Sequence, residues 1–424
     1  MAQQNTTTTL DGLFKVVYGE GPINAIPEVA ILQSKIKFKQ TERIGKSYNF
    51  PVILSSEAGV TYLVAGAGVS TLNDSIAAQL KEASVDANQI IIRGQMDYEA
   101  AAKAVAGGKA AFKNASELLV ENLMETASKR LEVAFLYGQS ATGLGTADSS
   151  VNATATTSTV TMLAAGWAPG IWAGAEGALV NFYKVSDDTL ISSSTDAVFS
   201  VTSVNFADRK IVFTGTATGI TALDSALSSG DCYIHYKGAK TAEPVGIDKI
   251  ITNSGELFGI SAATYAMWAG SSFSFGSGAV TVAKILNMVG MAVSKGGLME
   301  EADVLLSPKS YMNLSGTMTD LRRQGGESKT GIGGFENIVL MGPNGKLNLV
   351  PHPMIKEGEC FAVPMKRFKR IGSQEFSFET PGRKGELFLH IPDKNAYELR
   401  IYGAQAIICE QPAKCVKGTA ITNT

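Results

Sequence analysis

The clearest pattern along the chain is helical and lies between about residues 115 and 137. Asn114 is the expected N-cap, and Gly138 is the expected residue at the C-terminal end. The pattern predicts one helix about 34 Å long. Apolar side chains at helical spacing form one stripe along it: Leu119, Leu123, Ala127, Leu131, Ala134 and Phe135. A second stripe is acidic and faces either solvent or a partner: Glu117, Glu121 and Glu125.

A different pattern, alternation of charged and apolar residues, occurs over residues 35–39 and predicts a β-strand. A returning strand over residues 48–54 completes the predicted hairpin, and Pro51 places that strand at a sheet edge because proline donates no ladder hydrogen bond. Residues 31–62 contain five basic and two acidic side chains, a balance of +3. The basic residues are Lys35, Lys37, Lys39, Arg43 and Lys46.

Residues 167–259 show strand patterns and almost no helical ones. Strands are expected over residues 198–204, 210–214 and 232–236, with a turn after the first of them. These patterns predict a self-contained β-rich unit of roughly 100 residues, a typical domain size. The Ser/Thr/Ala-rich stretch 146–161 before it is expected to be a linker.

Helix and strand patterns alternate from residue 280 to 363 and predict a mixed α/β domain. A helix is expected over 280–294, ending at Gly296 and Gly297. A Gly-rich segment, 320–335, contains Arg322 and Arg323 and is expected to be a mobile loop. The remaining predicted elements are a strand at 303–306, a short helix at 307–314, a hairpin at 338–350 and strands near 375–378, 386–390, 397–401 and 404–409.

Composition then limits the class of protein. The chain has 424 residues, 37 basic and 39 acidic, and a formal net charge of −2. Only 18% of the residues are charged, against a usual value of about 25%. With 45% hydrophobic residues, the chain can bury a large core in two to four domains, so disorder is excluded. The near-neutral balance also argues against a dedicated nucleic-acid binder, which must neutralise phosphates.

No segment carries a recognisable catalytic or cofactor-binding motif. Gly45-Lys46-Ser47 lacks the upstream Gly of a phosphate loop, no Ser lies in a GxSxG elbow, and the three His belong to no metal motif. The four Cys lack metal or disulfide spacing and are expected to be buried, inert thiols. We therefore expect no enzyme activity, no cofactor, no metal, no secretory signal and no membrane span.

One dense basic run consists of Lys366, Arg367, Lys369 and Arg370. Residues 366–384 contain six basic and two acidic side chains, a balance of +4. Such runs are usually solvated or paired with acidic neighbours. In this structural interpretation the four residues stabilise the fold or the solvated surface and bind no ligand. The alternative is a surface that faces DNA in the lumen of a particle, where contact would be weak and salt-sensitive.

The order of these parts resembles the major capsid protein family of tailed phages, whose fold is shared by encapsulins and herpesvirus capsids. The resemblance covers most of the chain except about 155–258 and implies an α+β shell protein. Four blocks carry it: the basic hairpin 35–54, the long helix with its Gly-rich exit 114–143, the segment from 261–268 to 305–308, and the closing strands 350–352 and 397–415.

The resemblance also implies an organisation into domains. The expected parts are an N-terminal arm (1–30), an extended β-hairpin loop (31–70), a peripheral domain with the long spine helix (71–150), a β-rich insertion domain (155–258), an axial domain (259–365), and strands that return through the peripheral domain and end in the axial domain (366–424). The insertion is absent from the minimal family pattern. Because the hairpin begins near residue 31, we expect no fused scaffolding domain and a separate scaffolding protein.

The implied function is self-assembly into the icosahedral head of a virion around double-stranded DNA, with assembly in the host cytoplasm. The implied partners are other copies of the chain in hexamers and pentamers, the scaffolding protein, a portal, a decoration protein and, through weak contacts, the packaged DNA. Two alternatives remain. One is an encapsulin-type compartment of the same fold, and the other is a β-rich tail protein or adhesin, which leaves the long helix unexplained.

In this family the extended loop of one subunit lies over a neighbour. We therefore expect the five basic hairpin residues to dock near acidic groups of the adjacent subunit, with Glu117, Glu121 and Glu125 as candidates. A single exposed ion pair contributes under about 1 kcal/mol, so buried area must supply most of the strength. The segment with Arg322 and Arg323 is either an axial loop at the centre of a capsomer or an ordinary flexible loop.

Overall fold

The computed structural model describes residues 30–36, 38, 47–99, 115–193, 195–322, 339–378, 389–392 and 394–423. The chain divides into two compact units, and each is described by itself. The described residues of the first lie within 91–127 and 377–402, and those of the second lie within 27–90, 128–376 and 403–424.

The second unit begins with a short helix, α1 (Ile31–Lys35), and an antiparallel pair formed by β1 (Tyr48–Ile53) and β2 (Leu80–Val85). The prediction of a strand over 35–39 is wrong at Lys35, which is the last residue of α1. Of the strand that was expected to pair with residues 48–54, Phe38 is bridged to Arg370 and β1 pairs with β2, whereas residues 37 and 39–46 lie outside the described residues. Tertiary contacts override the alternating pattern, since Leu32 and Ile36 are buried in the core. The edge position predicted for Pro51 is confirmed, because β1 and β2 form a two-stranded sheet.

The predicted long helix is confirmed with the expected bounds as α2 (Ala115–Tyr137), which follows β3 (Asn88–Asp97). Its apolar stripe is buried from Leu123 onward. The reason for glycine at its C-terminal end differs from the prediction: Gln139, not Gly138, has the left-handed conformation, with φ 55°. A Cβ on Gly138 would overlap the carbonyl oxygen of Pro244, so close backbone packing requires glycine there.

A closed six-stranded barrel follows, with the strand order β4-β5-β8-β7-β6-β9. The predicted linker at 146–161 is wrong, because this segment supplies β4 and β5, whose alternate residues Ser158, Val160 and Met162 are buried. The predicted boundary at 155 therefore falls inside the barrel. The strands are β4 (Gly145–Thr154), β5 (Thr157–Met162), β6 (Leu179–Lys184), β7 (Phe199–Asn205), β8 (Lys210–Thr214) and β9 (Cys232–Tyr236), and the helices between them are α3 (Pro169–Trp172) and α4 (Ala217–Ser229).

A six-stranded mixed sheet in the order β12-β20-β16-β13-β15-β14 forms the core of the C-terminal part of the second unit. The predicted end of the helix expected over 280–294 is confirmed, since Gly297 has φ 61° and closes that helix. The helices are α5 (Ala239–Ala242), α6 (Ile247–Ile251), α7 (Val282–Gly296) and α8 (Pro308–Arg322). A small antiparallel pair precedes this sheet and consists of β10 (Glu256–Leu257) and β11 (Ile260–Ser261). The strands of the sheet are β12 (Ser271–Gly278), β13 (Ala302–Leu306), β14 (Val339–Gly342), β15 (Gly345–Pro351), β16 (Cys360–Val363) and β20 (Val416–Ile421).

The remaining strands are β17 (Phe368–Ser377), β18 (Leu389–His390) and β19 (Ala396–Cys409). The two strands expected at 397–401 and 404–409 form one continuous strand, β19. In the first unit, β19 pairs with β3 and β18, and Gly94 of β3 faces Leu119 and Leu123 of α2. In the second unit, β17 pairs with β19, and Gly372 comes close to the backbone of Ala404.

The four cysteines are all buried and none forms a disulfide. Burial raises the pKa of the Cys232 thiol to about 11 and that of Cys360 to about 12, so both thiols are protonated and unreactive at neutral pH. No group of three or more His, Cys, Asp or Glu side chains within the described ranges is placed to hold a metal ion. Among the helices that the structure describes, none is long and apolar enough to cross a membrane.

Candidate assembly surface

The loop of residues 54–79 continues the β1–β2 ribbon beyond the two strands. The backbone N–H of Leu54 donates to the carbonyl of Gln79 at 2.9 Å, and further along Ala58 donates to Ile76 at 3.1 Å. The loop reverses direction near Gly66, whose φ of 83° is accessible mainly to glycine. These contacts give the loop the form of a long, narrow hairpin.

Large apolar side chains are exposed along this hairpin. Tyr62 is 91% exposed, Val64 is 83% exposed and Leu72 is 72% exposed. Six more apolar residues on the loop or at its strand ends are more than half exposed: Ile53, Val60, Leu63, Val69, Ile76 and Leu80. Single exposed apolar residues are ordinary, but a concentration of nine in one segment is typical of a surface that a partner covers.

The charge of this hairpin differs from the sequence-based expectation. Residues 48–85 contain one basic side chain, Lys81, and three acidic ones, Glu57, Asp74 and Glu82, a balance of −2. The predicted balance of +3 belonged to residues 31–62. The surface that the loop presents is therefore apolar and weakly acidic, not basic.

The five basic residues predicted for the subunit interface fall in two groups. Lys35 lies in α1, and its Nζ is 2.5 Å from Asp303 Oδ2 of the same chain. The other four lie outside the described residues: Lys37, Lys39, Arg43 and Lys46. Lys35 thus has an acidic partner within its own subunit.

Sequence reasoning missed Glu132, a fully buried carboxylate on α2. It accepts hydrogen bonds from the backbone N–H groups of Leu32 at 2.5 Å and Gln33 at 3.2 Å, at the start of α1. His352 Nε2 lies 3.0 Å from the same carboxylate and is also fully buried. Glu132 therefore anchors the start of α1 to α2 in the interior of the second unit.

The acidic stripe of α2 is described in part. Glu121 is exposed and Glu125 is half-buried, whereas the side chain of Glu117 lies outside the described set. The pairing of this stripe with basic residues of a neighbour stays a prediction. The predicted axial loop is likewise outside the description: Arg322 is the last residue of α8, and Arg323 is not described.

The basic run, which lies just before β17 and in its first residues, pairs with glutamates of the same unit. The hydrogen bond from Arg367 lowers the pKa of Glu300 below its ordinary value, although partial burial opposes this. Arg370 is buried and also donates to Gln405 at 2.5 Å. The four ion pairs are Lys366–Glu301 at 3.7 Å, Arg367–Glu300 at 2.8 Å, Lys369–Glu410 at 2.8 Å and Arg370–Glu375 at 3.2 Å. These contacts favour the structural interpretation of the run over a DNA-facing one.

Comparison with known proteins identifies the fold. No protein-family model and no curated protein matches the chain. A chain of the capsid asymmetric unit of cyanophage A-1(L) matches at 12% identity with a TM-score of 0.58, over 99% of this chain and 100% of that one. A chain of the capsid of a native GTA particle matches at 8% identity with a TM-score of 0.51, over 99% of this chain and 100% of that one. The predicted α+β, tailed-phage capsid fold is therefore confirmed.

Proposed function

We propose that the chain is the major capsid protein of a tailed phage, a structural subunit that assembles with copies of itself into an icosahedral head around double-stranded DNA. The observation that carries this proposal is the exposed apolar hairpin 54–79 on a chain with a capsid fold. An apolar surface of this extent needs a covering partner. In a closed shell of identical subunits that partner is another copy of the same chain.

The proposed role is structural, with no enzyme activity assigned. It places the protein in the virion shell, after assembly in the host cytoplasm into hexamers and pentamers. A separate scaffolding protein, a portal and a decoration protein complete the proposed set of partners. Contact with the packaged DNA is weak, because the basic run 366–370 is already paired with glutamates.

Electrostatics adds selectivity to this assembly. We propose that the basic segment before β1 docks near the acidic stripe of α2 in the adjacent subunit, which helps to select the partner and its register. The charge reversals Lys37→Glu and Lys39→Glu together are expected to impair assembly. Normal shells from this double variant would defeat the electrostatic part of the proposal.

The remaining domains have proposed positions in the shell. The β-rich insertion (predicted as 155–258, with its barrel beginning at Gly145) is exposed on the particle and stabilises contacts between subunits. The segment after α8, with Arg322 and Arg323, forms the axial loop at the centre of a capsomer. Deletion of the insertion without effect on assembly or particle stability would count against its role.

Purification followed by size-exclusion chromatography and negative-stain microscopy tests the proposed function. The expected result is closed shells of uniform diameter, formed alone or with the scaffolding protein. Particle contents then separate the candidates, because a virus head from infected cells contains nuclease-protected DNA and an encapsulin-type compartment contains cargo protein. A stable monomer at every concentration, with and without scaffold, would contradict the proposal.

A further inference from the structure

Three ionisable side chains from distant parts of the second unit meet in its interior. They are Lys417 on β20, Asp248 on α6 and Glu359, which immediately precedes β16. Lys417 Nζ lies 2.6 Å from Asp248 Oδ1 and 2.8 Å from Glu359 Oε1. The lysine and aspartate side chains are only 7% and 4% exposed, and the glutamate is 13% exposed. The amine is thus held between two carboxylates with little access to water.

The triad is surrounded by an aromatic ring, one more cation and the buried side chain of Tyr137, whose hydroxyl interacts with Glu359. Phe361 is fully buried, pairs with Lys417 across the β16–β20 ladder, and has its ring 5.8 Å from Lys417 Nζ. Lys356 is buried nearby, and its Nζ donates to Thr142 Oγ1 at 2.7 Å. The cluster therefore contains two lysines and two carboxylates. Each buried ion loses several kcal/mol of hydration that its partners must offset.

We propose that Lys417 and Asp248 condense into an intramolecular isopeptide bond, with Glu359 as the proton shuttle. The product joins α6 to the C-terminal strand β20 by an amide between Lys417 Nζ and Asp248 Cγ. This modification does not depend on the proposed shell function, since all three residues belong to one chain.

The step balances without any oxidant or co-reactant. One proton passes from the Lys417 ammonium to the Asp248 carboxylate, which leaves a neutral amine beside a carboxylic acid. The amine lone pair attacks Asp248 Cγ, and Glu359 takes a second proton from the nitrogen as the new C–N bond forms. Glu359 then gives this proton to the departing hydroxyl, the C–O bond breaks, and one water leaves. Glu359 ends as a carboxylate, and the nitrogen keeps one hydrogen.

The geometry and charge of the cluster favour this step. A contact of 2.6 Å to Oδ1 holds the amine next to the carbon that it must attack, so little reorganisation is needed. Glu359 Oε1 lies 2.8 Å from Lys417 Nζ, so this carboxylate is within direct reach of the proton that the nitrogen gives up. Condensation removes one buried charge of each sign and leaves Lys356 to balance Glu359.

The electrostatics of the carboxylates assigns them different roles. Burial raises the pKa of Asp248 above its ordinary value, although Lys417 opposes this, so the electrophilic acid form is accessible. Burial would also raise the pKa of Glu359, but the charges of Lys356 and Lys417 lower it below its ordinary value. Glu359 is therefore the carboxylate that is poised to act as the base.

Mass spectrometry of the purified full-length chain tests the proposal. The expected intact mass is that of the sequence less one water. Trypsin should then yield residues 241–249 joined to residues 415–424, because an acylated Lys417 is not cleaved. A succinimide at Asp248 also loses one water, but it would leave these two peptides separate.

Variants assign the roles of the residues. Lys417→Arg keeps the charge but removes the nucleophile, and Glu359→Gln keeps the bulk but removes the shuttle. Both should retain the full sequence mass, whereas the control Lys414→Arg, at a lysine paired with Glu300 outside the cluster, should still lose water. Separate peptides 241–249 and 415–417 from the wild-type chain would overturn the proposal, whether or not the variants fold. Undiminished cross-linking in Glu359→Gln would overturn the shuttle role.

Discussion

The exposed hairpin makes a quantitative prediction for the double variant Val64→Ser, Leu72→Ser. Both side chains are largely exposed in the single chain, 83% and 72%, so most of their apolar area remains to be buried at an interface. Full burial of a Val or Leu side chain contributes about 1.5–3 kcal/mol, so half-coverage of both would contribute about 1.5–3 kcal/mol per subunit. Because about 1.4 kcal/mol corresponds to a tenfold change, the concentration needed for assembly should rise roughly 10- to 100-fold.

The stability of the subunit itself should change little, since surface substitutions usually stay within about 0.5 kcal/mol. Light scattering across a concentration series measures the assembly threshold, and circular dichroism during thermal unfolding checks the fold. Met291→Ser with Met299→Ser is the control, because it removes two exposed apolar side chains from α7 and the residues just after it, where no assembly contact is proposed. Equal thresholds for the hairpin variant and the wild type, or equal shifts for the hairpin and control variants, would refute the assignment of the hairpin as the assembly surface.

Three further predictions concern the fold of the second unit. Glu132→Ala should lower the free energy of unfolding in urea by about 3 kcal/mol or more, because it removes a buried charged acceptor of two backbone N–H groups; a change below 1 kcal/mol would contradict the anchoring role. Glu300→Gln should cost about 1–2 kcal/mol near neutral pH through the lost ion pairs with Arg367 and Lys414. Because the folded-state pKa of Glu300 is depressed, this difference should vanish as the pH falls through that pKa, and a pH-independent difference would count against it. Gly138→Ala should destabilise by about 2 kcal/mol or more through overlap with a backbone carbonyl, whereas Gly290→Ala, in open space on α7, should be neutral or stabilising in the same thermal scans.

Elements with a strong local pattern were predictable from the sequence. The bounds of α2 follow from an apolar stripe that continues over almost five turns and from the residues at its two ends, and β8 and β9 follow from short β-branched and aromatic runs between turn residues. The helix α4 was not predicted, although the sequence contains signals for it. Thr216 caps the helix by accepting a hydrogen bond from the N–H of Gly219, and the apolar residues follow helical spacing. The Ala/Ser-rich composition made this pattern weak. The error at 146–161 has a similar cause, because Ser and Thr are as common in exposed strands as in linkers.

The candidate assembly surface could not be predicted from the sequence, because it is defined by contacts between residues that are far apart in the chain. Residues 35–39 alternate as a strand should, but the buried carboxylate of Glu132, almost 100 residues away, holds the preceding turn as a helix. The apolar residues of 54–79 follow no period, so they carried no signal of an element. They are recognised as a candidate interface only from the structure, because the hairpin that continues the β1–β2 ribbon leaves these side chains exposed. The buried triad of Lys417, Asp248 and Glu359 likewise joins positions that no local motif connects.

The most direct test of the central claim is a cryo-EM reconstruction of the particles formed by this chain. The account predicts a closed icosahedral shell in which residues 54–79 of each subunit lie over a neighbouring subunit, with Tyr62, Val64 and Leu72 buried at the contact. A shell in which this hairpin stays exposed to solvent would contradict the account of assembly. Failure to find any ordered particle, from the chain alone or with its scaffolding protein, would contradict the proposed function itself.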